Sequence, residues 1–162
     1  MIVEIRFWMI FVSALVPLVI GAIWYNPKVF GTAWMKEAGV TKESMEGANM
    51  ALIFGLSYVF ALLMSFALIG ITIHQMGVQS LVMDAEQSTI DLAKQLLGLT
   101  DGNFRTFKHG AAHGLIAGIG IAFSVLATNA MFERKSWKYI WINSGYWIVS
   151  MTLMGGVVCQ FM

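Results

Sequence analysis

Charge is what this chain has least of. Of its 162 residues, ten are Lys or Arg and nine are Asp or Glu, 12% in all. An average soluble domain is roughly a quarter charged. Whole stretches hold no Asp, Glu, Lys or Arg: 7–27, 47–83, 109–132 and 139–162. Cysteine is nearly missing as well. Cys159 stands alone, so no intrachain disulfide can form, and its apolar surroundings suggest simple packing. The net charge of +1 gives no attraction for nucleic acid. No G-x-S-x-G, Walker or dinucleotide-binding pattern occurs, which leaves nothing to support a catalytic site of the soluble type.

What fills the chain instead is apolar. Hydrophobic residues make up 58% of it, and the mean hydropathy is +0.73. A bilayer core about 30 Å thick needs roughly 20 apolar residues of helix. Each charge-free run exceeds that length. A soluble core of four wholly apolar helices would have almost no surface to keep it dissolved. The expectation is an all-α integral membrane protein forming one domain. Its four transmembrane helices fall at about 5–25, 42–74, 109–132 and 139–161, the second with Thr41 as its N-cap.

The first run lacks a clear positive leader, because Glu4 opposes Arg6, and it ends in "WYNP" rather than small residues. It is therefore expected to be retained rather than cleaved. Between the second and third helices, Val78, Val82, Ala85, Leu92 and Leu96 recur at helical spacing opposite Asp84, Glu86, Asp91 and Lys94. That pattern predicts an amphipathic surface helix over about 78–97. Lys28, Lys36, Lys42, Arg134, Lys135 and Lys138 lie on one side. Arg6, Lys94, Arg105 and Lys108 lie on the other. By the positive-inside rule, both termini and the 75–108 segment are expected outside.

Residues 21–43, "GAIWYNPKVFGTAWMKEAGVTKE", resemble the signature of a bacterial membrane family known as domain of unknown function 1761. Gly21, Trp24, Tyr25, Pro27, Phe30, Gly31, Trp34, Met35 and Lys36 carry the likeness. A second block, 128–156, is similar through Asn129, Phe132, Glu133, Ile142, Asn143, Gly145 and Tyr146. The two blocks cover about a third of the chain. The resemblance implies a small four-helix protein of the bacterial cytoplasmic membrane and implies no activity.

Ionisable side chains inside a membrane segment are the natural functional candidates. His109 and His113, four apart, share one helix face. His74 at the end of the second helix and Glu4 at the start of the first are expected at the same membrane face. Together they form an N/O ligand set suited to zinc or another divalent ion. A haem held axially by His74 and one of the pair ranks behind that. Hydrogen-bonding or solvated histidines at a helix entrance are the plainer alternative.

Gly110, Gly114 and Gly118 form a small-residue stripe, which in lipid permits close helix approach to a neighbour in this chain or in a second copy. Ser124, Thr128, Asn143 and Ser150 recur on helices three and four as a candidate polar lining. The leading expectation is a non-enzymatic membrane protein, a homo-oligomer or a subunit of a membrane complex, that either passes a small solute or ion or serves within a membrane assembly. A metal-binding protein or metalloenzyme built on the histidines is the first alternative. A purely structural membrane partner is the second.

Overall fold

A computed structural model describes residues 5–100 and 102–162, with the side chain of Lys42 left aside. Among these residues the chain is helical, with no strand. The first apolar run forms α1 (Met9–Ser13) and α2 (Leu15–Trp24). Two short helices follow, α3 (Gly31–Ala38) and α4 (Lys42–Met45). α5 spans Met50–Thr72, α6 Gln75–Leu81 and α7 Gln87–Leu99. α8 (Phe107–Ala117) runs through a π-helical turn, Gly118–Phe123, into α9 (Ser124–Phe132). α10 (Trp137–Phe161) ends the fold.

α10 is the axis of the molecule. Ile140, Ile142, Met151, Met154, Val158 and Cys159 are buried along it, with α8, α5 and the α1–α2 segment around it. The closest approach is between α8 and α10. A Cβ added at Gly110 would collide with the Gly155 carbonyl, and one at Gly114 with the Met151 carbonyl. At Gly118 it would stand 2.9 Å from the Ile148 Cα. Backbones meet here because no side chain stands between them.

Three helical stretches are long and apolar enough to cross a membrane: Met50–Thr72, Phe107–Phe132 and Trp137–Phe161. This corrects the expected four. The first run is helical only over Met9–Trp24, about 24 Å at the helical rise. Its regular structure is broken after Ser13, because Pro17 has no N–H to return to that turn. The segment still runs the length of α10. Arg6 N–H donates to the Met162 carbonyl at 2.9 Å, and Tyr25 at the other end reaches Asn143.

Two further boundaries differ from expectation. A single helix over 42–74 is not formed. Thr41 caps only the one-turn α4, Gly47 turns the chain at φ +83°, and Asn49 caps α5 by accepting from Leu52 N–H. The amphipathic helix expected over 78–97 is likewise two helices. The chain leaves α6 at Val82, whose side chain is buried, and restarts after Glu86 in extended conformation. α5 and the Phe107–Phe132 stretch bury only 22% of their apolar windows. Phe60, Leu63, Phe66, Ile116, Ile119 and Val125 stand exposed along them.

Candidate functional site

The end of the molecule where α5 stops carries the histidines. The Thr72 hydroxyl bonds back to the Leu68 carbonyl at 2.8 Å, and buried Ile73 is extended. The chain thus turns at His74, which opens α6. Across from it, the Thr106 side chain caps α8 by accepting from His109 N–H at 3.2 Å. That cap sets where α8 begins, so His109 and His113 lie one turn apart on the face toward His74.

The Nε2 atoms of His74 and His109 are 2.8 Å apart. Ring centroids lie 4.8 Å apart for His74 and His109, 4.9 Å for His74 and His113, and 4.5 Å for His109 and His113. One ligand nitrogen from each histidine falls within 4.8 Å of the others. Two nitrogens bound to one tetrahedral zinc at about 2.0–2.1 Å would stand roughly 3.3 Å apart. The pair at 2.8 Å therefore needs to part by about half an ångström to take an ion. A haem between His74 and His109 does not fit this arrangement, because the two ring nitrogens touch and leave no slot for a porphyrin. Glu4, the fourth residue expected here, lies outside the described residues.

A shell of hydrogen bonds holds the cluster. Phe104, at φ +63°, packs its ring on both His74 and His109. The Cys159 thiol is 3.1 Å from the Phe104 carbonyl and 3.4 Å from that of Thr72. Arg105 Nε donates to the Cys159 carbonyl at 3.1 Å. Cys159 is thus more than packing: it ties the end of α10 to the loop that covers the histidines. Beside His74 a cavity of about 230 Å³ opens between α6 and α7, lined also by Gln75, Asn103 and Phe104. Gln75 and Phe104 escaped sequence reasoning, and their only signal was adjacency, in sequence or through the loop, to the histidines.

The opposite end gathers the residues of both signature blocks. The Asn143 side-chain oxygen accepts from Tyr25 hydroxyl and from Trp34 Nε1, each at 3.2 Å, while its amide nitrogen donates to the Tyr139 carbonyl at 2.9 Å. Trp24 Nε1 donates to the Ile142 carbonyl at 3.0 Å and stacks on Phe30 at 4.6 Å. Gly31 sits where any Cβ would strike the Tyr25 carbonyl, and the Pro27 carbonyl accepts from the Thr32 hydroxyl at 3.0 Å. These residues fold the 25–31 turn against α10. An apolar cavity of about 680 Å³ lies beside them, lined by Pro17, Tyr25, Trp34, Met35, Phe54 and Tyr146 among others.

The four residues read as a polar lining are not brought together. Ser124 and Thr128 are exposed, and Thr128 bonds to the Ser124 carbonyl of its own helix. Asn143 belongs to the aromatic node just described. Ser150 is buried within α10 beside the Tyr146 side chain.

A helical bundle with three membrane-length helices, a trio of histidines at one end and a tryptophan–tyrosine–asparagine node at the other defines a small all-helical class of protein. The profile of the family described as "Protein of unknown function (DUF1761)" matches residues 8–159, and the chain belongs to that family. The match takes in the 73–106 connection as well as the two signature blocks. Among curated proteins and among solved structures nothing matches the chain.

Proposed function

We propose that this is an integral membrane protein that binds a divalent transition-metal ion, zinc foremost, through His74, His109 and His113. The observation that carries the reading is the convergence of three imidazole nitrogens within 4.8 Å of one another from two separate helices. Imidazole is the ligand zinc and its neighbours in the first transition row favour. Two of the three histidines are partly buried, and the cap at Thr106 and the Phe104 ring fix how they are presented.

Membrane insertion is supported by the apolar side chains exposed along α5, α8 and α9 and by the charge-free runs that carry them. We infer that the 26–49 and 133–136 connections, rich in Lys and Arg, face the cytoplasm, so the histidine end faces outward. Passage of a solute along α9 and α10 draws no support from Ser124 and Thr128, which are exposed rather than turned into the bundle. The glycines that left room for a second copy are occupied by α10 of the same chain.

The test is metal content. Protein purified in detergent and equilibrated with Zn²⁺ is expected to retain about one ion per chain. A His74→Ala/His109→Ala/His113→Ala variant, with its helical content unchanged, is expected to retain none. Equal metal in both proteins, or none in either, would overturn the proposal.

A further inference from the structure

Resting on the metal reading above, we infer that the ion keeps one coordination position open toward the cavity beside His74, and that the water filling it is held by Gln75. Closed structural zinc sites use four protein ligands, whereas sites that exchange ligands use three and leave the fourth to water. Among the described residues the histidine group contains no fourth His, Cys, Asp or Glu. The open side has somewhere to face: the cavity of about 230 Å³ has His74 and Gln75 in its wall together with Thr100 and Asn103.

Gln75 supplies the independent observation. Its amide nitrogen donates to the Asn103 carbonyl at 3.1 Å. A carbonyl can only accept, so this bond fixes which end of the amide is which. The amide oxygen, Oε1, is then left buried with no hydrogen-bond partner among the described residues. A buried acceptor without a donor carries a penalty that folded proteins rarely leave standing. The described residues offer no donor there. Water polarised by a divalent ion is a strong one, since the ion draws its ionisation down toward neutral pH. Gln75 is thus a positioning residue for the fourth ligand, and small anions are the class of molecule that would replace that water.

Cobalt and azide report this directly. Detergent-purified protein loaded with Co²⁺ is titrated with azide and followed by its visible absorption, alongside Gln75→Leu and Gln75→Glu. Azide cannot donate to Oε1, so in wild type it must displace a water that Gln75 holds. Gln75→Leu is expected to bind azide about fivefold more tightly, the equivalent of one hydrogen bond. Gln75→Glu is expected to bind it more weakly than wild type, because a carboxylate repels the anion. Opposite shifts at equal Co²⁺ stoichiometry support the inference, and the glutamate variant carries it alone where the leucine variant fails to fold. Equal azide affinity in all the folded proteins, or no azide binding to Co²⁺-loaded wild type, overturns it and leaves the metal site intact. Failure of wild type to bind Co²⁺ overturns both.

Discussion

The Nε2 atoms of His74 and His109 stand 2.8 Å apart although 35 positions separate the residues in the chain. Without an ion, the contact is a hydrogen bond in which one ring donates and the other accepts. It requires at least one neutral imidazole, and a metal requires all three to be neutral at the ligating nitrogen. The same geometry therefore serves as a proton-sharing pair and as an ion site, and protons compete with the ion for these nitrogens.

Metal binding is expected to follow that sign. The ion binds the unprotonated imidazole nitrogen, so protons compete with it: binding is expected to strengthen as the pH rises and to weaken as it falls. Zn²⁺ titrations between pH 5 and pH 8 check this. An affinity that does not change across the range would point to ligands other than these histidines. Each single His→Ala change is expected to weaken binding by more than the 10–100-fold typical of removing an outer-shell partner.

The glycine contact predicts a sharp difference between neighbouring positions. Gly114→Ala drives a Cβ into the Met151 carbonyl, where only backbone can yield. Overpacking of this kind costs about 1–3 kcal/mol, and thermal unfolding in detergent should register it as a lower midpoint. Since His113 is the adjacent residue, Zn²⁺ affinity should fall with it. Gly120→Ala meets nothing within 4 Å and should leave the midpoint unchanged or slightly raised. Equal effects at the two positions would contradict the packing described.

Asn143→Leu removes the acceptor shared by Tyr25 and Trp34. Interhelical hydrogen bonds in membranes average about 0.6 kcal/mol each, and the two stranded donors add to that loss, so about 1–2 kcal/mol of destabilisation is expected. Tryptophan fluorescence should shift as Trp34 loses its partner. The histidine end lies at the far end of α10, so Zn²⁺ binding should be unaffected. Loss of metal binding in this variant would show that the two ends are coupled.

Orientation can be read with single cysteines. In a Cys159→Ala background, a membrane-impermeant maleimide applied to intact cells should label Glu86→Cys and spare Lys135→Cys. The reverse pattern would invert the proposed topology.

How much of this was legible beforehand depends on the range of the interaction. Long charge-free runs needed only counting, and they mark α5, α8–α9 and α10 because each residue's transfer preference is local. The i, i+4 spacing was enough to put His109 and His113 on one face. The shortness of the first helix was less visible, since Pro17 breaks a pattern that hydropathy alone reads as continuous. Gly47 and Val82, which split two expected helices, act through backbone conformation and burial rather than polarity. Asn143 reads from the sequence only as a candidate polar lining, because its partners lie 118 and 109 residues away. The bare oxygen of Gln75 had no sequence signature at all, because an unpaired acceptor exists only once the chain has folded around it.

X-ray absorption at the zinc edge is the most direct test of the central claim. On Zn²⁺-loaded protein the account predicts a first shell of light atoms at about 2.0–2.1 Å with the scattering pattern of three imidazoles and one further oxygen. A shell containing sulfur, or oxygen ligands without imidazole, would contradict it.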